Sequence, residues 1–201
     1  NFDSKVLGLQ WQWNHNPDDS RWTLTERPGF LRLKATRSDA FWTARNTLTQ
    51  KGFGPSSQAI VRLDVGHLQP GDRCGMGTLG KFNAQATVET AADGHRSLSL
   101  RLDEDTVEGQ RTSVLAPSRP LQGDILYLRT DMDFTTARGQ IAYGADGVAW
   151  SPLGGDFPLA YDWRTGTFQG PQFATFCFNP EDSDGYLDID SFDLMIGAGP
   201  F

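Results

Sequence analysis

Ala59-Ile60-Val61-Arg62-Leu63-Asp64-Val65 is the run that decides the architecture. Ala59, Val61, Leu63 and Val65 fall on every second position, with Arg62 and Asp64 between them. Side chains of a strand point alternately to its two faces, so this pattern describes a half-buried β-strand. Working outward, the same kind of run recurs along the chain. Phe30-Leu31-Arg32-Leu33-Lys34, Ala86-Thr87-Val88-Glu89-Thr90, Ser97-Leu98-Ser99-Leu100-Arg101-Leu102 and Ile125-Leu126-Tyr127-Leu128-Arg129-Thr130 read as strands. So do Arg138-Gly139-Gln140-Ile141-Ala142-Tyr143 and Leu187-Asp188-Ile189-Asp190-Ser191-Phe192. Between them stand turn residues: Pro28-Gly29, Gln69-Pro70-Gly71-Asp72, Asp93-Gly94, Asp146-Gly147, Gly154-Gly155 and Asp184-Gly185. Asp-Gly pairs between strand-like runs predict hairpins, because Gly takes the left-handed backbone such turns need. Nowhere do apolar residues recur at helical spacing over ten or more positions. Many short strands with regular turns predict an all-β fold, a two-sheet antiparallel β-sandwich.

The chain of 201 residues is read as a single domain, residues 1–201, long enough to bury a full core without metal or disulfide staples. Its net charge is −7, with only four Lys. That excludes the basic face a nucleic-acid partner or an anionic membrane surface would require. No apolar stretch reaches the roughly 20 residues of a membrane helix. The sequence opens on Asn1-Phe2-Asp3, without an initiator Met or a basic and apolar leader, as in a processed chain or an excised domain. Cys74 and Cys177 lack CxxC partners, which sets aside zinc and thioredoxin-type chemistry. They read as two buried small hydrophobes, or as a disulfide if their strands are neighbours. Asp103-Glu104-Asp105 reads as a solvated loop or strand end.

Catalysis by paired carboxylates needs two acids facing one another across a cleft. Of the five Glu, only Glu89 lies in a strand-like run, and the twenty Asp cluster in turns. No nucleophile elbow, phosphate loop or zinc-protease motif is present. The reading is therefore non-catalytic, with a small glycosidase as the least favoured alternative. Sugar binding fits better, because flat aromatic rings complement the CH faces of sugars and Asn or Arg can bond adjacent hydroxyls. Three of the six Trp have polar company. Trp13 opens Trp13-Asn14-His15-Asn16-Pro17, Trp42 precedes Thr43-Ala44-Arg45-Asn46-Thr47, and Trp163 sits in Asp162-Trp163-Arg164-Thr165. The candidate ligand-binding residues are Trp13, Asn14, His15, Trp42, Arg45, Asn46 and Trp163. Asn14, Asn16 and Arg45 also carry the plainer reading of loop braces. Asp182-Ser183-Asp184-Gly185 lacks the closing Glu of an EF-hand. Asp188 and Asp190 alternate onto the face of Phe192. If first and last strands pair, Asp3 approaches Asp190, and the expectation is a structural calcium held by Asp3, Asp190 and carbonyls.

Gly8-Leu9-Gln10-Trp11-Gln12-Trp13-Asn14-His15-Asn16-Pro17, Trp22-Thr23-Leu24-Thr25-Glu26-Arg27-Pro28-Gly29-Phe30 and Ala44-Arg45-Asn46-Thr47-Leu48-Thr49-Gln50 together resemble a known family. They are similar to the C-terminal concanavalin A-like jelly-roll domain of family 43 glycoside hydrolases, the β-xylosidase and α-arabinofuranosidase group. Gly71-Asp72-Arg73-Cys74-Gly75, Tyr143-Gly144-Ala145-Asp146-Gly147-Val148-Ala149-Trp150, Phe168-Gln169-Gly170 and Leu187-to-Phe192 follow in the family's order. The resemblance implies a non-catalytic module with affinity for xylan, arabinoxylan or related oligosaccharides. It also implies an N-terminal catalytic propeller as partner, and makes Phe168 or Phe173 the candidate for a loop facing that propeller's pocket. The alternative it leaves open is a domain that only buttresses the propeller. An exported setting is favoured over a cytoplasmic one.

Overall fold

The computed structural model describes residues 2–165 and 169–197. The strands run in chain order as β1 (Gln12–Trp13), β2 (Trp22–Thr23), β3 (Leu31–Lys34), β4 (Thr36–Arg37), β5 (Leu48–Lys51) and β6 (Ser56–Asp64). Next come β7 (Arg73–Leu79), β8 (Phe82–Thr90), β9 (Arg96–Thr106), β10 (Gly109–Pro120) and β11 (Ile125–Asp133). The last are β12 (Arg138–Gly144), β13 (Ser151–Pro152), β14 (Phe157–Pro158), β15 (Gln172–Asn179) and β16 (Tyr186–Ile196). Helix among the described residues is confined to two single 3₁₀ turns, Asp19–Arg21 and Trp163–Thr165.

Two eight-stranded sheets form the sandwich. The front sheet runs β1-β5-β15-β7-β8-β9-β10, with β4 pairing β15 in parallel. The back sheet runs β13-β12-β11-β6-β16-β3-β2, with β14 on β12. Apart from β4, every pairing is antiparallel. β6 lies at the centre of the back sheet; Ser57, Ala59, Val61 and Leu63 are buried as its alternation requires, and Asp64 at its end is buried as well. Ala59, Val61 and Leu63 meet Met76, Ala86, Val88, Leu98, Leu100 and Phe173 from the front sheet in one apolar core. Burying each such large side chain contributes about 1.5–3 kcal/mol.

Three expectations change. Asp93-Gly94 and Asp146-Gly147 do close antiparallel hairpins, β8–β9 and β12–β13. Asp184-Gly185, however, joins β15 to β16, which lie in opposite sheets, and the Gly185 carbonyl accepts from the Ala35 amide. Asp103-Glu104-Asp105 takes the strand-end reading, at the end of β9, but Asp103 is buried rather than solvated. Cys74 and Cys177 stand directly opposite one another on β7 and β15, and they are joined in a disulfide.

Strict alternation also fails in β16. A bulge between Ile189 and Ser191 adds one residue, so Ile189 and Phe192 both face the core. Asp188 is thereby turned to the opposite face and Asp190 becomes the extra residue. Asp188, with its side chain fully buried, receives Arg32 through two bonds, Nε to Oδ1 at 2.7 Å and Nη2 to Oδ2 at 2.9 Å, and Arg27 Nη1 at 2.9 Å. A buried carboxylate needs such partners, and guanidinium supplies them here.

Candidate functional site

β15 is buried along its whole length. Phe173 and Cys177 face the core, whereas Ala174, Phe176 and Phe178 face outward into a second apolar cluster. The cover on that outer side is the loop between β4 and β5. Its Phe41 packs edge-on against Phe176 with ring centroids 4.9 Å apart. Ser38 shapes the loop, bonding the Ala40 carbonyl at 2.8 Å and the Thr43 hydroxyl at 2.7 Å. Phe41 thus forms a ridge across the outer face of the front sheet.

Beside this ridge lies a cleft of about 360 Å³, within the range of small-molecule sites. Gln12, Thr49 and Gln172 occupy outward positions of β1, β5 and β15 and line it, together with Leu79 at the end of β7. Trp42, Asn14 and His15 wall one side, and Gln169 and Gly170 also contribute. The Trp42 carbonyl accepts from Asn14 Nδ2 at 3.0 Å and lies 2.6 Å from His15 Nε2, so that ring nitrogen carries the proton. The His15 ring stands edge-on to the Trp42 indole at 6.4 Å. Trp42 is therefore a partly exposed flat ring held at its backbone, above a floor of hydroxyl and amide groups.

The candidate residues divide sharply. Trp13, Asn14, His15 and Trp42 come together at the cleft. Trp13 is shared with the interior, where it packs on Trp22 at 5.2 Å. Asn14 and His15 spend one side-chain nitrogen each on bracing Trp42. Asn46 is 1% exposed, and its amide is taken up by Asp18: Oδ1 accepts from the Asp18 amide and Nδ2 donates to the Asp18 carbonyl. Arg45 donates to the carbonyls of Asn16 and Pro17. Both brace the loop, and neither lines the cleft. Trp163 is exposed on its 3₁₀ turn and does not line the cleft. Beside it, Arg164, with help from Lys81, holds the Asp162 carboxyl well below the usual range. Phe168 lies outside the described residues. Phe173 is fully buried against Phe192, so it faces no partner loop.

The strand pairing from which an Asp3–Asp190 calcium was expected is not formed. Among the described residues β16 pairs with β3 and β6, and the N-terminal segment joins its neighbours through the bridge Phe2–Gly29. Asp190 instead receives Arg62. Among the described residues no group of three or more His, Cys, Asp or Glu is placed to hold a metal ion. The residues that alternation alone could have pointed to are Gln12, Thr49 and Gln172, polar side chains facing outward from the strands they belong to.

A jelly-roll sandwich with one face hollowed beside a tryptophan is the class of module defined by these features. Residues 1–195 match the model of the β-xylosidase C-terminal concanavalin A-like domain, and the chain belongs to that family. It is 30% identical over 213 residues to a β-xylosidase of Formosa agariphila, covering 95% of this chain and 34% of the relative. Among solved structures it resembles a bifunctional GH43-CE protein of Bacteroides eggerthii, with a TM-score of 0.85, 28% identity, and 98% of this chain and 26% of that one covered. It also resembles a GH43 glycoside hydrolase whose active site was engineered for endo-xylanase and exo-arabinofuranosidase activity, with a TM-score of 0.85 and 28% identity over 97% of this chain and 40% of that one. The chain spans about a third of the length of the Formosa relative. It is an accessory domain of the kind found in GH43 xylosidases and arabinofuranosidases.

Proposed function

We propose that this domain holds a xylan-type chain in the cleft beside Phe41, stacking one sugar ring on Trp42 and bonding its hydroxyls through Gln12, Thr49 and Gln172. It does no chemistry itself; hydrolysis belongs to a catalytic propeller in the parent protein. The observation that carries this reading is the Trp42 ring braced from its own carbonyl at the wall of a saccharide-sized cleft with a polar floor. Xylan and arabinoxylan are the substrates of choice because the relatives are xylosidases and arabinofuranosidases. The Cys74–Cys177 disulfide supports an oxidising, exported setting. Affinity electrophoresis in gels containing xylan, arabinoxylan, arabinan or a cellulose derivative tests it. Retardation by xylan that Trp42→Ala abolishes is the expected result; equal mobility in every gel removes the proposal.

A second reading, a buttress for the propeller, is favoured by one observation. Phe53 and Ile196 are exposed at the end of the sandwich where Lys51, Leu79 and Gln172 align, and Tyr161 and Trp163 are exposed in the segment whose Ala160 carbonyl approaches Gly80 at that end. Contiguous apolar surface of this kind marks an interface. Lack of retardation together with tight association with a separately expressed propeller would favour it over sugar binding.

A further inference from the structure

On the other side of the Phe41 ridge the same sheet face carries a second hollow of about 130 Å³. We infer that it is a second saccharide site, which takes one uncharged sugar residue by hydrogen bonding rather than by stacking. This goes beyond the cleft of the first proposal and shares no lining residue with it.

The hollow lies between the Phe41 loop and side chains of β8, β9 and β10. On β7, Gly75 and Gly77 stand in register with Phe176 and Ala174 of β15 and with Thr87 and Gln85 of β8. A Cβ at either would meet a β8 carbonyl, Ala86 O at 2.0 Å or Ala84 O at 1.9 Å, so the close approach of β7 and β8 requires glycine at both. Gln85, Thr87, Asp103 and Thr112 form the floor of the hollow. Asp103 accepts from Gln85 Nε2 on one oxygen and from the Thr112 hydroxyl at 2.6 Å on the other. Gln85 and Asp103 are only 5% and 8% exposed, so the floor is a fixed polar lattice, not a mobile surface. Among the described residues Gln85 Oε1 has no hydrogen-bond donor and is left to accept. At the rim, Arg73 reaches one oxygen of Glu89 at 3.4 Å, while Arg101 is exposed and makes no ion pair or side-chain hydrogen bond with the described residues.

The lining thus offers unspent guanidinium donors next to amide and carboxylate acceptors. A hydroxyl group, which both donates and accepts, matches such a mixture. Three carboxylates, Asp39, Glu89 and Asp103, outnumber two Arg, which disfavours an anionic ligand. Phe41 and Phe178 border the hollow but are 1% and 3% exposed, so they present no ring face. The volume is roughly a third of the cleft's, room for a single residue.

Nuclear magnetic resonance of the ¹⁵N-labelled chain titrated with xylohexaose tests the inference. The side-chain amide of Gln85 and the Nε–H of Arg101 are expected to shift in the wild type and still to shift in Trp42→Ala. Gln85→Met and Arg101→Ala should each weaken that response about tenfold, the loss of one strong hydrogen bond. Arg101→Ala removes an exposed side chain, so it keeps the test readable if Gln85→Met fails to fold. Shifts confined to the Trp42 cleft overturn this site and leave the first proposal standing. Shifts at Gln85 with Trp42 silent in the wild type do the reverse. Absence of shifts anywhere removes both, and a response to polygalacturonate but not to xylohexaose overturns the uncharged-ligand assignment.

Discussion

Trp42 and Asn46 stand four residues apart in one loop and do opposite work. Asn46 has its amide closed on the Asp18 backbone inside the protein, whereas Trp42 offers a ring to the cleft. Asn46→Ala should therefore lower unfolding free energy by about 1–2 kcal/mol, because it removes both hydrogen bonds to the half-buried Asp18 backbone. Trp42→Ala should weaken sugar binding and, because the half-buried ring also packs on the outer apolar cluster, lower the melting temperature while leaving the chain folded. Thermal denaturation checks both stability changes, and sugar titration checks the loss of binding. Titration offers a second test at this scale. Burial works to raise the Asp64 carboxyl, but the Arg27 hydrogen bond and the Gly66 amide outweigh it and hold it below its ordinary 3.8. A carboxyl lowered on folding contributes stability that is complete above its unfolded value and lost as pH falls through the folded one. The melting temperature should thus drop below about pH 4, and the drop should be shallower in Asp64→Asn.

β15 shows what an element's sequence does and does not disclose. Phe173-Ala174-Thr175-Phe176-Cys177-Phe178 has apolar residues at both parities, the mark of a strand covered on both faces, yet nothing in it names the cover. That cover is the Phe41 loop, brought in by a contact far along the chain. The alternating strands β3, β6, β9, β11 and β12 were legible because one face of each meets the core. The bulge in β16 was not, since Asp188-Ile189-Asp190-Ser191-Phe192 alternates plausibly in either register and only pairing with β6 decides it. Asp188 and Asp190 consequently looked like ligands for a cation, and the arginines that neutralise them come from β3, β6 and the segment before β3. The disulfide was legible only as a conditional alternative, because it depends on β15 lying beside β7 across 103 residues of sequence. A cross-link closing so long a loop restricts the unfolded chain strongly. Cys74→Ala/Cys177→Ala should cost about 2–5 kcal/mol in chemical denaturation; an unchanged midpoint would deny the bond a role in stability.

At the scale of the molecule the two sheets are unequal. On the back sheet's outer side guanidinium groups already occupy aromatic faces: Arg32 lies 3.8 Å from the Tyr186 ring centroid, Arg27 3.7 Å from Phe30 and Arg129 5.2 Å from Trp150. Arg27, Arg32 and Lys34 further bind Asp64, Asp188 and Glu26. The front sheet carries the ridge and both hollows instead, with the Trp42 ring facing the larger one. On the proposed function, the asymmetry would direct ligand to one side of an accessory domain whose relatives carry further chain beyond the part it covers. Of the segments that carry the family motifs, Trp13, Asn14, His15 and Thr49 line the cleft, whereas Arg45 and Asn46 brace the neighbouring loop.

The most direct measurement is calorimetric titration of xylohexaose into the wild-type chain and into Trp42→Ala. The Trp42 cleft predicts saturable heat with the wild type that Trp42→Ala reduces at least tenfold, on a variant still folded at the temperature of the titration. Equal affinity in both proteins, or no heat in either, would contradict it.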